Sequence, residues 1–257
     1  MRVKKVVTIS HDSASYIYNS PEWDDLNEVC DDSLSGWEPE SRRIFRRIAR
    51  DVDCILDIGA YTGVYSIEAA ISNPRARVIA VEPNSKVLPT LSLNIACNDL
   101  GKQIEIWNYP LSNRSERAHL HTTNGNWGNS MTSLRESGGL ENKIEVETRT
   151  LDSHGESLAP GLVKIDVEGF EPEILLGAEK IFRVSRPIIL MEALSVKELD
   201  AQIRILKVFN YSYPKRIAKG NGDDRNYLWL PTNRFNNLHK LRRLSAKIPP
   251  IKRMRGL

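Results

Sequence analysis

Short unbroken apolar runs alternate along this chain with stretches whose apolar positions recur every three to four residues. Cys54-Ile55-Leu56 runs into Asp57, Arg77-Val78-Ile79-Ala80-Val81 into Glu82, Leu162-Val163-Lys164-Ile165 into Asp166, and Pro187-Ile188-Ile189-Leu190-Met191 into Glu192. Such runs read as strands buried on both faces, with an acid at the carboxyl edge of a parallel sheet. Ile104-Glu105-Ile106-Trp107 reads as a fifth strand. Between the runs the period turns helical. Helices are expected at about 40–50 (Ile44, Phe45 and Ile48 inward), from Val64 (Ile67, Ala70), and at about 85–98 (Leu88, Leu91, Ile95). Others follow Glu171 (Ile174, Leu175, Ala178) and cover about 196–207. Pro89 kinks the third or delays its start. Asn210 to Arg216 and Asn226 to Leu230 are strand-like and joined by Lys219-Gly220-Asn221-Gly222-Asp223, a hairpin signal. Five parallel strands alternating with helices and closed by an antiparallel pair make a doubly wound α/β domain.

Three segments lie outside that rhythm. Residues 3–19 alternate loosely and read as a β-hairpin turning near His11-Asp12-Ser13, and the acidic residues 20–36 read as a cap or lid. Arg117 to His121 and Ile144 to Thr148 read as strands of an insertion, joined by a Gly/Asn/Ser-rich loop, 123–142, expected to form a mobile wall near the substrate. The division that follows is an N-terminal hairpin and cap over 1–36, a main domain over 37–231 with a β insertion at about 113–150, and a C-terminal tail over 232–257. Arg42, Arg43, Arg46, Arg47 and Arg50 read as the solvated face of the first helix.

Composition adds little, but charge placement adds something. The chain has 257 residues, 40% hydrophobic and 27% charged, ordinary for a soluble globular protein. No apolar run reaches the roughly 18–20 residues of a membrane span, and the apolar part of Met1–Val7 is too short for a signal peptide. Cys30, Cys54 and Cys97 have no paired spacing and read as free thiols in a reducing cytoplasm. Eight Lys or Arg and no acid fall between Thr232 and Leu257, which leaves 28 basic against 33 acidic groups before them. Leu238, Leu241, Leu244 and Ile248 recur there at near-helical spacing among Lys240, Arg242, Arg243 and Lys247. Such a segment packs on the domain or on a second copy in a homo-oligomer, or it lies peripherally on an anionic inner membrane face. Nucleic acid is not the expected partner.

The chemistry concentrates after the first strand. Asp57-Ile58-Gly59-Ala60-Tyr61-Thr62-Gly63 has the form D-x-G-x-x-x-G, with Tyr61 where a dinucleotide fingerprint has its middle glycine. A carboxylate at the strand end repels pyrophosphate but suits a ligand bearing an ammonium and a sulfonium, such as S-adenosylmethionine. Glu82 lies 19 residues past Gly63, where an acid of a βαβ unit takes both ribose hydroxyls. An NAD-dependent oxidoreductase and a non-catalytic nucleoside- or nucleic-acid-binding module are the competing readings.

Asp57 to Ser66, Val81-Glu82-Pro83-Asn84, Asn94 and above all Val163-Lys164-Ile165-Asp166-Val167-Glu168-Gly169-Phe170-Glu171 resemble the FkbM-type methyltransferases, over about residues 37–231. The resemblance implies a Rossmann-like class I methyltransferase fold: a mostly parallel seven-stranded sheet with helices on both faces and a terminal antiparallel hairpin. It implies an S-adenosylmethionine-dependent O-methyltransferase acting on a hydroxyl of a sugar, glycan or natural product. By that resemblance Asp57, Gly59 and Gly63 hold the methionine end, Glu82 the ribose, and Glu38 also touches the cofactor. Ala60, Tyr61, Pro83, Asn84, Pro110 and Asp166 complete the cofactor set. Tyr61 stands where the family often has Asn, and Pro110 where a small residue is frequent. Methyl transfer to oxygen needs an aligned acceptor and a base for its proton. Asp166 and Glu168 are the candidates, unless they cap the next helix, and Lys164 alternates to the side of Asp166. His119, His121 and His154 are the other bases to consider. Asp166 and Glu192 lack a third ligand, so no metal is expected.

Overall fold

The computed structural model describes residues 3–11, 14–21, 34, 36–123, 134, 140–155, 157–212, 214–217 and 225–232. The N-terminal hairpin pairs β1 (Val3–His11) with β2 (Ala14–Pro21). Helix α1 (Pro39–Ala49) leads into β3 (Cys54–Ile58), α2 (Val64–Ser72), β4 (Arg77–Val81), α3 (Leu88–Ala96) and β5 (Ile104–Trp107). The insertion strands β6 (Arg117–Thr123) and β7 (Leu140–Glu147) pair antiparallel in a sheet of their own. Then come a 3₁₀ turn (Leu151–His154), β8 (Leu162–Ile165), α4 (Glu171–Leu176), α5 (Glu179–Ser185), β9 (Ile188–Glu192), α6 (Val196–Val208), β10 (Lys215–Arg216) and β11 (Asn226–Trp229).

The main sheet has seven strands in the order β10-β11-β9-β8-β3-β4-β5. Strands β5, β4, β3, β8 and β9 run parallel; β11 and β10 are antiparallel, as the Lys219–Asp223 signal implies. The loop 218–224 itself lies outside the described residues, as do the cap at 22–33 and most of the 123–142 loop. The chain leaves β3 toward β4 on one side and returns as β8 on the other. The crevice above their carboxyl ends is where an open α/β sheet takes a ligand.

Because side chains alternate across a strand, each run feeds two cores. Ile55, Val78 and Leu190 pack with Phe45 of α1, Ile67 of α2, Leu91 of α3 and Tyr18 of the hairpin. Leu56, Val163 and Ile189 pack on the other face with Leu175, Phe182 and Leu206. Asp57 and Lys164, register partners in β3 and β8, fall on the first face, under α2.

Two expectations change. Arg42 and Arg46 are buried, not solvated; Arg43, Arg47 and Arg50 are the exposed ones. Both buried guanidinium groups bond the fully buried Glu68 of α2, Arg42 through Nε and Nη2 and Arg46 through Nη1 at 2.8 Å. Burial works against the Glu68 carboxylate, yet the two arginines hold it below the usual range. The helix after β8 is broken in two at Gly177, where the chain passes so close to the Ser112 carbonyl oxygen that a Cβ would stand 1.9 Å from it. Of the two outcomes expected for Pro89 the delayed start is the one found: it lies in the first turn of α3, which begins at Leu88. No helix among the described residues is long and apolar enough to cross a membrane.

Candidate active site

At the end of β3 the buried strand delivers Asp57, only 1% exposed. Its Oδ2 accepts the Ser66 hydroxyl of α2 at 2.6 Å. Its Oδ1 is buried without a hydrogen bond from any described residue. Burial raises its pKa, opposed by the Lys164 ammonium and the Ser66 bond. The loop then folds over the end of β4: the Gly59 and Ala60 N–H groups both donate to the Val81 carbonyl at 3.0 Å. Gly59, Tyr61 and Gly63 have φ of 83°, 50° and 97°, the left-handed turn that glycine favours and Tyr61 tolerates at a cost. Gly59 is required for a reason the sequence does not show. Its Cβ would meet the Asp166 carbonyl oxygen at 1.8 Å, so the loop sits against β8 and not merely beside a ligand.

Glu82, 6% exposed, closes β4. Its Oε2 accepts the Tyr61 N–H at 2.9 Å and its Oε1 the Asn84 N–H at 2.8 Å. Each oxygen therefore keeps acceptor capacity for another donor. Burial pushes this carboxyl up to about 7, against the two N–H bonds and with help from Asp57.

The other end of the crevice is built by β8, β9 and the loop between β8 and α4. Lys164 Nζ bonds Asp166 Oδ2 at 2.7 Å and sits 4.5 Å over the Tyr65 ring. Burial works against its charge, but Asp166, Glu38 and Asp57 raise its pKa above the ordinary value. Glu168, at φ 55°, brings its carboxylate beside Asp166 and Glu192; one oxygen of each lies within 4.8 Å of the others. This is the third ligand-type group that the spacing of Asp166 and Glu192 did not offer. Burial, then Asp166 and Glu171, push Glu168 up to about 8; burial, then Asp166, Glu168 and Glu171, push Glu192 up to about 10. Glu171 caps the loop by accepting the Val167 and Gly169 N–H groups.

One cavity of about 310 Å³ joins both ends. Glu38, Asp57, Gly59, Ala60, Tyr61, Glu82, Pro83, Pro110, Lys164, Asp166 and Glu168 all line it. Two expected site residues do not. Gly63 stands behind the wall as the cap of α2, with Leu91 2.6 Å from where its Cβ would be. Asn84 is fully buried behind Glu82, and its backbone N–H orients that carboxyl. The three histidines do not line it either: His119 is exposed and His121 buried, both on β6 of the insertion, and His154 stacks on Trp107 at 3.9 Å.

A sequence profile described as the methyltransferase FkbM domain matches residues 57–213, more than half of the chain. The chain belongs to the FkbM methyltransferase family. Methyltransferase FkbM from Methylobacillus flagellatus KT superposes with a TM-score of 0.52 at 18% identity, over 70% of this chain and 44% of that one. This chain thus spans under half the length of that protein. The O-methyltransferase TomG from Streptomyces achromogenes, involved in tomaymycin synthesis and solved with S-adenosylmethionine, gives 0.47 at 15% identity over 76% and 80% of the two chains. An O-methyltransferase from Bacillus cereus, solved with S-adenosylhomocysteine, gives 0.47 at 15% over 76% and 81%. No curated protein matches the sequence.

The fold of this FkbM-family chain is the class I one, seven strands of which β11 alone is reversed. Sequence reasoning missed several lining residues: Trp37, Thr62, Tyr65 and Phe170, and Leu120 from the insertion. Tyr65 lines the cavity from the first turn of α2. It donates to Glu38 Oε2 at 2.6 Å, and Asn226 of β11 donates to Glu38 Oε1 at 2.7 Å. Glu38 is thereby fixed at the cavity wall from a left-handed backbone.

Proposed function

We propose that this methyltransferase binds S-adenosylmethionine in the cavity and transfers its methyl group to a hydroxyl of a sugar, glycan or natural-product acceptor. The observation that carries the reading is the placing of two buried carboxylates. Asp57 offers an unsatisfied oxygen at one strand end, and Glu82 offers an oriented carboxyl at the next. The first suits an ammonium and the second a vicinal diol, as in the amino-acid and ribose parts of this cofactor. When bound, S-adenosylmethionine supplies an electrophilic methyl on a cationic sulfur.

The chain's own residues do the rest. Asp166, oriented by Lys164, accepts the hydrogen bond and then the proton of the acceptor hydroxyl. Glu168 and Glu192 hold their protons near neutrality and can donate to Asp166 or to the acceptor. Trp37, Phe170, Leu120 and Leu134 give the cavity apolar walls, which suit the carbon faces of a sugar or a natural product. The oxidoreductase reading fits poorly. Tyr61 occupies the glycine position, and Lys164, already held by Asp166, is the one basic side chain among the cavity-lining residues that could meet a pyrophosphate. Thermal shift with S-adenosylhomocysteine, NADH and adenosine decides between them. S-adenosylhomocysteine should raise Tm and NADH should not, and Asp57→Asn should abolish the advantage of S-adenosylhomocysteine over adenosine. A shift with NADH alone refutes the proposal.

A further inference from the structure

The N-terminal hairpin lies outside the residues matched by the family profile, yet it is bonded to the glycine loop. The Tyr18 hydroxyl and Thr62 Oγ1 are 2.6 Å apart, and both residues are fully buried. Thr62 lines the cavity between Tyr61 and Gly63. Its carbonyl accepts Asn94 Nδ2 of α3 at 2.9 Å. Asn94 Oδ1 in turn accepts the Asn19 backbone N–H at 2.7 Å, and Asn94 Nδ2 reaches the Asn19 carbonyl at 3.3 Å. One turn on, Asn98 makes the same pair of bonds to Ile17, 2.8 Å to its N–H and 2.7 Å to its carbonyl. Asn94 on α3 and Asn98 in the turn just past its C-terminus thus stand in for a neighbouring strand along the edge of β2. The backbone units of Ile17 and Asn19 are tied in this way, and the same amide at Asn94 holds the loop.

We infer that the hairpin is a brace for cofactor binding, in which Tyr18 and Asn94 act as positioning residues for the Tyr61–Gly63 turn. This rests on the cofactor reading of the cavity. The turn carries two positive φ angles, one on each side of Thr62, and its Tyr61 N–H is one of the two donors that aim Glu82. Strained backbone persists only where its surroundings over-determine it. Thr62 is fixed at both its side chain and its carbonyl by the brace, so releasing it lets the turn relax and Glu82 lose its orientation.

The strand supplies its own control. Tyr16, two residues before Tyr18 and also buried, donates to Glu68 Oε1 at 3.2 Å, into the arginine pair and away from the loop. Tyr16→Phe and Tyr18→Phe each delete one buried hydroxyl from β2. Calorimetric titration with S-adenosylhomocysteine should show about a fivefold loss of affinity for Tyr18→Phe, the order of one net hydrogen bond. Tyr16→Phe should change it less than about twofold even where it lowers Tm as much. Thr62→Val should lose as much as Tyr18→Phe, and the double variant no more than either. Amide hydrogen exchange in the ligand-free protein should speed up at Thr62 and Gly63 for Tyr18→Phe only. Equal effects of the two tyrosine variants, or none from either, overturn the brace. If the unaltered protein binds no S-adenosylhomocysteine, the cofactor reading fails, and the exchange rates alone decide whether the hairpin holds the turn.

Discussion

On the proposed reading of the cavity, Glu82 makes cofactor affinity depend on pH. Its carboxyl is pushed up to about 7 by burial, although the Tyr61 and Asn84 N–H groups favour the charged form. Two ribose hydroxyls donating to it bind the carboxylate better than the acid, so protonation competes with the ligand. With a pKa near 7, roughly one molecule in eleven is ionised at pH 6 and ten in eleven at pH 8; the apparent Kd should be about tenfold weaker at pH 6. The stability of the free protein moves the other way. The folded carboxyl keeps its proton to higher pH than the unfolded chain, whose ordinary value is 4.5. Its stabilising contribution is therefore whole below that value and is lost as pH rises through about 7. Glu82→Gln removes the titration and sets an amide N–H₂ against one of the two backbone donors. It should weaken binding at pH 8 by about 1.5–3 kcal/mol and flatten the profile. Calorimetric titration with S-adenosylhomocysteine at pH 6, 7 and 8 reads both. A Kd unchanged across that range, or a Gln variant with the same slope, refutes the reasoning.

Other outcomes follow from the packing. Gly59→Ala drives a methyl into the Asp166 carbonyl and should destabilise by about 3 kcal/mol or more, read as a lower urea midpoint; an unchanged midpoint would mean the loop shifts freely. Glu68→Gln leaves Arg42 and Arg46 buried without their carboxylate and should cost about 3–5 kcal/mol, whereas a loss under about 1 kcal/mol would show the pair to be dispensable. Residues 233–257 lie outside the described residues, and the cavity is lined by Trp37 to Glu192. Truncation after Thr232 should therefore leave S-adenosylhomocysteine affinity unchanged while abolishing any co-sedimentation with anionic vesicles; a weaker affinity would put the tail in the site.

The strands and the acids that close them were legible because a short apolar run ending in a carboxylate fits little besides a buried strand reaching the edge of a parallel sheet. Asp57, Glu82, Asp166 and Glu192 all stand at or just past strand ends for that reason. Pairings across long separations were not legible. Arg42 and Arg46 look like a solvated stripe until α1 lies on α2 and Glu68 arrives from more than twenty residues away. Glu168 joins Asp166 and Glu192 from a left-handed backbone, which no spacing announces. The need for glycine at 177 depends on the Ser112 carbonyl, and the tie between Tyr18 and Thr62 on how the hairpin seats. Tertiary contact decided each of these, where propensity and period were silent.

The most direct measurement is a crystal structure of the protein with S-adenosylhomocysteine. Both ribose hydroxyls should lie within about 3.2 Å of the Glu82 carboxylate. The ligand ammonium should sit on the free Asp57 oxygen, with the sulfur turned toward Asp166. A ligand seated with its ribose away from Glu82, or a cavity that excludes it altogether, would contradict the assignment of this crevice to S-adenosylmethionine.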